Sequence, residues 1–539
     1  MALQTLPIRG LGDVGVITDV DPSALPTNAF SRAVNVRFDE GGISRAPVFR
    51  TIKDSLGFNP RLLHGVEPVS GYSTVILASD TYIIQEYASG SLNNRSPNLT
   101  TTSSLIHPFT STTLADVIYI NREDKIPRYR TTSGTNFAYM PSTWDSGWRC
   151  KALRSYGDFL LGINMTEGSN YYTARVRWSN IAQANAVPDS WDASDATKSA
   201  GFNDLVQIRT PLVDGAVLGP NFILYSKSDV YLMEFVGGPF IFNFRKIFSD
   251  IGVINQNCVQ EIDGKHYVFG NDDIYIHDGS TRQSIVDQRV KDYIFGGLNT
   301  ARIDRCFVHW SPELEEVYFC YSSGDDKVAF TNSDRCNRAA VYNYKNDTWS
   351  FLDLPNVSCG TIANVSSSGT YANTSTAYSA IGGSYFSQEA GFDRHTLFAG
   401  EDNSADGIGS DKLYGLDLAD TGSLSFAIDT EATKLPFAER TGIDLDEMLP
   451  ITGYKIIKNI YPQITTPNND KNFVFTYGGA NLIADSPNYE SSITFNASST
   501  HKIDSRASGR YLSYKLTTTD AKDFSFTGFD LDLMTTGRR

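Results

Sequence analysis

The residues best equipped for chemistry lie in one short stretch, residues 266–279, with the sequence HYVFGNDDIYIHDG. The side chains there that offer oxygen atoms of the kind Ca²⁺ binds are Asn271, Asp272, Asp273 and Asp278. Their spacing does not match a calcium loop, which alternates its ligands and ends in a bidentate Glu. Asn and Asp also tolerate left-handed backbone and close hairpins with their own side chains. The pattern therefore predicts turn residues rather than a cation site, and the same holds for Asp19 and Asp21.

Two histidines, His266 and His277, flank the apolar runs of this stretch. A zinc site needs at least three protein ligands, and no third His or carboxylate recurs at metal-binding spacing. We therefore predict that the two histidines are neighbours across a hairpin, one partly buried and one exposed.

A second group of acids, Glu313, Glu315 and Glu316, lies in the segment SPELEEVYF. Glycosidases need two carboxyl groups about 5 to 10 Å apart, whereas adjacent residues in a turn rarely face each other. The sialidase Asp-box is absent, and residues 346–349 (NDTW) preserve only its tail. The serine-hydrolase, P-loop, zincin and dinucleotide-binding motifs are also missing. The sequence thus predicts no catalytic residue and a protein that is not an enzyme.

The cysteines lie far apart and form no CxxC pair; they are Cys150, Cys258, Cys306, Cys320, Cys336 and Cys359. This spacing favours buried free thiols over a zinc site or a disulfide framework. Aromatic rings can bind the faces of sugars, but most Tyr and Trp residues here lie inside alternating runs, where packing between sheets explains them. We predict no metal site, no cofactor-binding residue and no cofactor.

Charge narrows the class of partner. The chain has 539 residues and a formal net charge of -15, with an isoelectric point near 5.0. Affinity for nucleic acid comes from clustered Lys and Arg that displace counterions from phosphates. A chain this acidic repels DNA, which is useful only where DNA must pass without sticking.

The stretch at 266–279 is one of a series of similar segments, in which an apolar run, a polar turn and a second run rich in aromatics follow each other. The others are residues 75–90, 117–130, 159–178, 222–235, 317–330, 341–355 and 397–418. For the segments that begin between residues 75 and 317, the starts are about 40 to 60 residues apart, which allows about four short strands per unit. Stacking such sheets around an axis covers their faces and leaves only short edges. The series predicts a β-propeller of about six or seven units.

The two ends of the chain differ from this array. Residues 1–60 contain a hairpin around Gly41 and Gly42, and residues 431–539 alternate again in YKIIKNIYPQI, NFVFTYGG, ITFN, RYLSYKL and FSFTGFDLDLM. We predict an all-β protein with a propeller-like body over residues 61–430 and a sandwich-like domain formed by both termini. In this division residues 1–60 are a β arm that packs with the C-terminal β domain. The small, polar residues 366–388 predict a long mobile loop in the propeller region.

The start of the chain, MALQTLPIRG, lacks a charged residue followed by a long apolar run, so we predict no signal peptide. No window of about 18 apolar residues indicates a membrane span. These features favour a protein made in the cytoplasm that works elsewhere without secretion.

Several segments resemble one family. Residues 502–516 (KIDSRASGRYLSYKL), 526–534 (FTGFDLDLM) and the final GRR are similar to the end of tail nozzle or tail stabilisation proteins of short-tailed bacteriophages. Residues 33–38 (AVNVRF) and 42–47 (GISRAP) resemble the family's opening, although the usual Arg-Pro-Gly is here Arg-Ala-Pro. Residues 249–254 (SDIGVI) with the stretch at 266–279 resemble its central propeller segment.

The resemblance implies a β-propeller with added β domains, assembled as a homohexameric C6 ring around the DNA exit channel of the virion tail. Expected partners are copies of itself, a tail adaptor or tubular protein, fibre or spike proteins, and double-stranded DNA that passes without specific binding. The role is structural: the ring closes the channel before infection and lets DNA pass during ejection. In the C-terminal segment, we expect Arg506 and Arg510 to hold a turn by pairing with Asp504 rather than to bind phosphate.

Two other functions stay open on the residues alone. One is a carbohydrate-binding or carbohydrate-cleaving propeller that acts on host surface glycans through exposed loops and aromatic side chains. The other is a baseplate or fibre-attachment module without a channel.

Overall fold

The computed structural model describes the chain apart from residues 1–2, 40, 67–73, 89, 98–106, 239, 331–333, 366–394, 402–410, 419–425, 447–452, 468–471 and 537–539. Strands make up nearly all the regular secondary structure of the described residues, which also contain one short helix, α1 (Lys291–Gly297), and two 3-10 turns, Pro22–Ala24 and Thr300–Arg305. None of these helical segments is long and apolar enough to cross a membrane. The predicted all-β class is confirmed.

Strands β1 to β5 come from the N-terminal segment: β1 (Leu3–Arg9), β2 (Arg32–Val34), β3 (Val36–Asp39), β4 (Gly42–Arg45) and β5 (Phe49–Lys53). Seven four-stranded antiparallel units, here called blades 1 to 7, use most of the following strands. Blade 1 contains β6 (Pro60–Val66), β7 (Thr74–Ser79), β8 (Ile84–Ala88) and β9 (Ser91–Asn94). Blade 2 contains β10 (Phe109–Leu114), β11 (Val117–Arg122), β12 (Arg128–Arg130) and β13 (Ala138–Tyr139).

Blade 3 contains β14 (Trp148–Tyr156), β15 (Phe159–Glu167), β16 (Asn170–Trp178) and β17 (Gly201–Asp204). Blade 4 contains β18 (Leu212–Leu218), β19 (Asn221–Ser226), β20 (Asp229–Phe235) and β21 (Phe242–Ser249). Blade 5 contains β22 (Val259–Ile262), β23 (Lys265–Phe269), β24 (Ile274–His277) and β25 (Arg282–Ser284). Blade 6 contains β26 (Phe307–Ser311), β27 (Glu316–Tyr321), β28 (Cys336–Asn343) and β29 (Thr348–Val357).

Blade 7 closes the ring with strands from both ends of the chain. It contains β30 (Cys359–Ala363), β31 (His395–Gly400), β32 (Lys412–Leu416) and, as its fourth strand, the N-terminal β5. The first strand of each blade lies beside the first strands of the two neighbouring blades, and β30 lies beside β6. The result is a closed β-propeller, in which blade 7 cannot form until the N-terminal segment returns to it.

The packing explains the sequence pattern. Strands β11 and β27 are buried at every position, because each blade is covered on both faces by its neighbours. Period-two alternation is therefore weak within the propeller, and apolar runs with aromatic side chains take its place.

The remaining strands are C-terminal: β33 (Phe437–Ile443), β34 (Tyr454–Thr465), β35 (Asn472–Ala480), β36 (Asn488–Tyr489), β37 (Ile493–Asn496), β38 (Ile503–Asp504), β39 (Ser508–Gly509), β40 (Tyr511–Thr518) and β41 (Ser525–Thr536). One terminal sheet has the order β3-β4-β41-β34-β38, with β1 also on β41 and β39 on β34. It packs against a second sheet that contains β33, β40 and β35. Phe526 lies 5.8 Å from Phe475 between ring centroids, and Phe529 lies 5.2 Å from Tyr514. The termini thus form the predicted sandwich-like domain.

The second terminal sheet is not separate from the propeller. Strand β2 pairs in parallel with β29 of blade 6, where Val34 lies opposite Phe351, and pairs on its other side with β33. A single ten-stranded sheet therefore runs from blade 6 into the sandwich. One continuous cluster of buried side chains likewise joins blades 4 to 6 to both sandwich sheets.

Three sequence predictions need comment. Most predicted hairpins are the second and third strands of a blade, but the second run of residues 317–330 is not a strand, and its place is taken by β28. Within the predicted arm of residues 1–60, β5 pairs with blade 7 instead of the C-terminal domain, because the ring needs a closing strand. The predicted mobile loop, residues 366–388, lies outside the described residues.

Candidate functional site

The first strands of the blades surround a cavity of about 550 Å³ on the propeller axis. Its wall is formed by β6, β10, β14, β18, β22, β26 and β30, or by the residues just before them. Every blade therefore contributes to this one space, which is called the axial cavity below.

Asn257, just before β22, links several blades by hydrogen bonds at this cavity. Its side-chain Nδ2 donates to the Phe109 carbonyl of blade 2 at 2.8 Å, and its Oδ1 accepts from Arg154 Nη2 of blade 3 at 2.8 Å. Its backbone N–H donates to Asp214 Oδ2 of blade 4 at 2.8 Å, and its carbonyl accepts from the Val308 N–H of blade 6. Asn257 adopts a left-handed φ of 58°, a conformation that Asn tolerates better than most residues. One residue of blade 5 thus bonds to four other blades.

A buried ion pair supports this contact. Arg154 Nε donates to Asp214 Oδ1 at 2.8 Å, and Arg154 Nη2 donates to Asp214 Oδ2 at 2.6 Å, a bidentate arrangement. Asp214 is only 3% exposed, and the Gly215 N–H also donates to it. Removing the half-buried Arg154 would leave the buried charge of Asp214 unpaired, which is strongly destabilising.

Three arginines meet where blades 6, 7 and 1 adjoin the cavity. Arg335 pairs with buried Asp411, and Arg305 pairs with Asp304 at 3.1 Å. Arg61 forms no ion pair within the described part of the chain, and its Nε is buried without a hydrogen-bond partner. Burial, together with the nearby positive charges of Arg335 and Arg305, lowers the pKa of Arg61.

Two further cavity residues have unused hydrogen-bonding groups. Gln256 is 1% exposed, and neither its amide nitrogen nor its amide oxygen has a partner among the described residues. His309 lacks a partner at Nε2, and burial lowers its pKa to about 3, so the ring is neutral at physiological pH. His64 is also neutral, because burial and the charge of Arg130 lower its pKa to about 4. Buried polar groups normally find partners, so the unpaired atoms of Gln256 and His309 are unusual among the residues that line this cavity.

A chain of hydrogen bonds runs beside the cavity, between blades 4 and 5. The Tyr225 hydroxyl lies 2.7 Å from His266 Nδ1 and 2.5 Å from His277 Nε2. His266 Nε2 lies 2.7 Å from the Val217 carbonyl, and the Gly279 N–H donates to His277 Nδ1. Because a carbonyl only accepts and a backbone N–H only donates, His277 must donate to Tyr225, and Tyr225 must donate to His266. Every polar group of the chain is satisfied when both rings are neutral.

This arrangement corrects one prediction. His266 and His277 are neighbours across the β23–β24 hairpin, but both are buried, at 0% and 2% exposure. The side chain expected to be exposed is covered by blade 4, which sequence periodicity does not reveal. Burial lowers the pKa of His266 to about 4. Burial and the neighbouring His266 lower the pKa of His277 to about 3.

Among the Asn and Asp residues of this stretch, only Asp278 closes a turn with its own side chain, whereas Asn271 and Asp273 bond to residues outside it. Asn271 donates to the Lys227 carbonyl at 2.8 Å, and Asp273 accepts from the Ser284 hydroxyl at 2.6 Å. Asp278 accepts from the backbone N–H groups of Ser280 and Thr281, which lower its pKa to about 2. Asp272 is exposed. Asp21 likewise caps the turn at Pro22–Ala24, and Asp19 accepts from the Asp292 N–H.

The three glutamates of residues 313–316 have separate partners. Buried Glu316 pairs with Arg37 at 2.5 Å and accepts from the Tyr318 hydroxyl at 2.7 Å. Glu313 faces His395 at 3.4 Å, and Glu315 faces Lys345 at 3.0 Å. Trp349, at the end of the NDTW segment, is 1% exposed and donates to the Ile285 carbonyl at 2.9 Å. These contacts are those of structural residues.

The thiols also fit their expected environment, because all six cysteines are buried and free. Cys258 and Cys336 donate to the carbonyls of Cys306 and Arg305, each at 3.2 Å. Burial raises the pKa of Cys306 to about 12, which keeps this thiol neutral. No group of three or more His, Cys, Asp or Glu side chains within the described residues has a geometry that could hold a metal ion.

The predicted pairing of Arg506 and Arg510 with Asp504 is wrong. Asp504 pairs instead with Lys502 at 2.8 Å. Arg510 lies 4.0 Å from Asp446 and over the ring of Tyr511. The short β38 and β39 strands hold this segment flat against β34, so the turn that would bring the arginines onto Asp504 does not form.

A second cavity, of about 530 Å³, lies at the side of blade 3. It is lined by Trp148, Trp191 and Phe202, residue types that could form a sugar platform. The Arg177 guanidinium already lies 4.1 Å from the ring centroid of Trp148, and that of Arg175 lies 4.1 Å from Phe202. The guanidinium groups therefore cover ring faces of Trp148 and Phe202 on which a sugar would have to stack.

Sequence reasoning singled out none of Asn257, Arg154, Asp214, Arg61, Gln256 or Tyr225. Their sequence neighbourhoods carry no motif, and only closure of the ring brings them together. Five of them lie within or just before the first strand of a blade, and Tyr225 lies in the second strand of blade 4.

Comparisons with known proteins assign the chain to no family. No protein-family model matches the chain, and no curated protein matches it. Among solved structures, the WD40 β-propeller domain of Doa1 aligns with 69% of this chain and 98% of its own, at 7% identity and a TM-score of 0.36. The CNH domain of AfRom2 aligns with 69% of this chain and 99% of its own, at 8% identity and a TM-score of 0.38. The extracellular domain of a one-component system from B. thetaiotaomicron aligns with 85% of this chain and 47% of its own, at 9% identity and a TM-score of 0.37. The chain is a β-propeller protein, an assignment that rests on its own strand pairing.

Proposed function

We propose that this chain is a structural virion protein, the subunit of a homohexameric tail nozzle that extends the DNA exit channel of a short-tailed bacteriophage. In this role the ring closes the channel before infection, lets DNA pass during ejection, and carries fibres or spikes below a tail adaptor. The protein is made in the host cytoplasm and works in the virion tail. The proposal joins the sequence resemblance to one structural observation.

That observation is the ten-stranded sheet shared by blade 6 and the terminal sandwich. A sheet that crosses from one domain to the next resists bending far more than a linker, because backbone hydrogen bonds and a continuous core must break together. A wall around packed DNA needs this property. An enzyme or a binding module would not require that its two domains share a sheet.

The axial cavity bears on where DNA would pass. The cavity has a volume of only about 550 Å³, and the hydrogen bonds of Asn257 to four other blades lie inside it. It cannot admit a DNA duplex, which is wider than its own major groove of about 12 Å. In the proposed nozzle, the DNA channel therefore lies between subunits around the six-fold axis. A cyclic ring of this kind requires two different, complementary faces on each subunit.

Charge supports the same arrangement. The net charge of -15 gives a ring of six a total charge of about -90, before counterions are considered. A duplex that moves along such a wall is repelled rather than adsorbed. This matches a passage that must not bind its cargo.

Electron microscopy of the purified full-length protein tests the proposal. The expected particles are rings of six copies of a 59.4 kDa chain, with six-fold symmetry and an axial opening. The same preparation, incubated with host surface polysaccharide, should release no sugar. Monomers that release sugar would refute the nozzle and favour the carbohydrate-active alternative, and particles without six-fold symmetry would refute the hexameric ring.

A further inference from the structure

We propose that the axial cavity binds a small molecule through an oxyanion group, a phosphate or a carboxylate, that pairs with Arg61, while Gln256 bonds to a second polar group of the same molecule. This site is independent of the nozzle role, since it lies inside a single propeller. Two observations support the site: Arg61 has no ion-pair partner among the described residues, whereas Arg335 and Arg305 do, and Gln256 and His309 have hydrogen-bonding groups without partners.

Arg61 is the cation of its cluster that is left without a partner in the described part of the chain. Arg335 is neutralised by Asp411, with Glu401 at 3.8 Å, and Arg305 by Asp304. The two other nearby acids are also engaged: Asp80 accepts from Asn59 at 3.4 Å, and Asp334 pairs with Arg302 at 3.0 Å. Within the described residues, the two Nη groups of Arg61 therefore have no carboxylate partner and can donate to an incoming group, whereas its Nε is buried.

The chemistry of this guanidinium selects the ligand. A guanidinium is planar and presents parallel N–H groups that match the two oxygens of a carboxylate or phosphate. Burial between two further guanidinium groups makes an unpaired Arg61 costly, as its lowered pKa indicates. An anion removes this cost, because it attracts all three cations, whereas a water molecule only satisfies hydrogen bonds.

Gln256 and His309 supply the rest of the site. The Gln256 amide offers both a donor and an acceptor, and both are buried in the cavity wall without partners. His309, on the first strand of blade 6, offers Nε2 from a neutral ring. Groups of this kind discriminate strongly, since a ligand that fails to pair them leaves them unsatisfied. The cavity of about 550 Å³ falls within the range of about 300 to 1,000 Å³ usual for small-molecule sites.

The experiment measures binding of inorganic phosphate and of citrate to the full-length protein, by calorimetric titration and by the rise in melting temperature. Sodium chloride at equal ionic strength is the reference salt. The test variants are Arg61→Gln, which removes the cation, and Gln256→Glu, which places a carboxylate of equal size beside the anion. The matched control is Arg9→Gln, since Arg9 pairs with Asp530 on the sandwich.

We expect saturable binding of at least one of the two anions to the wild type and to Arg9→Gln. Loss of a charge-assisted contact should weaken it by about 10- to 100-fold in Arg61→Gln, and Gln256→Glu should weaken it at least as much. Whichever anion binds more tightly identifies the group as phosphate or carboxylate. Equal binding by wild type and Arg61→Gln, or no effect of either anion beyond that of chloride, would overturn the proposal. If Arg61→Gln does not fold, wild-type affinity in Gln256→Glu overturns it instead.

Discussion

Mild acid should destabilise this protein through four histidines, of which His266, His277 and His309 are buried and His64 is half-buried. His64 and His266 have pKa values lowered to about 4, and those of His277 and His309 are lowered to about 3. In the unfolded chain each returns to about 6.5. The unfolded state therefore binds more protons below pH 6.5, and stability must fall as the pH drops through that value. The loss continues until the pH reaches the folded values near 4 and 3.

The size of the effect follows from the width of this window. Each unit of pH below 6.5 costs about 1.4 kcal/mol per histidine, so a drop to pH 5 costs about 2 kcal/mol for each ring. Four rings give about 8 kcal/mol, comparable with the total stability of a typical domain. Asp229 adds to this only at lower pH, because its folded-state pKa lies below the ordinary range and its contribution is lost only as the pH falls below the unfolded value of about 3.9.

Urea unfolding at pH 7.5, 6 and 5 measures this effect, with fluorescence as the signal. We expect the midpoint to be nearly constant from pH 7.5 to 7 and to fall steeply between pH 6.5 and 5. His309→Gln should reduce the pH dependence by about one quarter, whereas His501→Gln should leave it unchanged, since His501 is exposed. A midpoint that stays constant down to pH 5 would show that the four rings are not held neutral, and the assigned hydrogen-bond chain through Tyr225 would be wrong.

Two further predictions concern the packing of the blades. Asn257→Gly keeps the left-handed backbone but removes the bonds to Phe109 and Arg154, so it should lower the free energy of unfolding by about 2 to 4 kcal/mol. The control variant Asn271→Gly, at an exposed turn, should lower it by less than about 1 kcal/mol. Equal losses for the two variants in urea unfolding would contradict the role of Asn257. The six buried thiols should react with a thiol reagent only after denaturant is added, because burial holds them neutral. Fast reaction of the native protein would contradict the burial of these cysteines.

Local patterns determine some parts of this structure and not others. The stretch at 266–279 is a hairpin because Asn271 and Asp273 suit the turn between two runs of apolar residues, and this was predictable. The terminal strands were predictable for a different reason, since one face of the sandwich is exposed and the alternation survives. The burial of both His266 and His277 was not predictable, because neighbouring blades cover both faces of β24 and remove the period-two signal.

The axial contacts depend on ring closure rather than on local sequence. Asn257 is 148 residues from Phe109 and 43 from Asp214, so no motif spacing links them. The same is true of β2, whose three residues join two domains by one parallel pairing at Val34. A strand this short has no pattern of its own, and its place is set by the strands that flank it.

The central claim is that the propeller and the terminal sandwich form one stiff body, built on a shared sheet and a shared core. Differential scanning calorimetry of the full-length protein tests it most directly. We predict a single cooperative transition in which both parts unfold together, because β29, β2 and β33 cannot separate without opening the core of each. Two well-separated transitions, with the sandwich melting while the propeller stays folded, would contradict the claim.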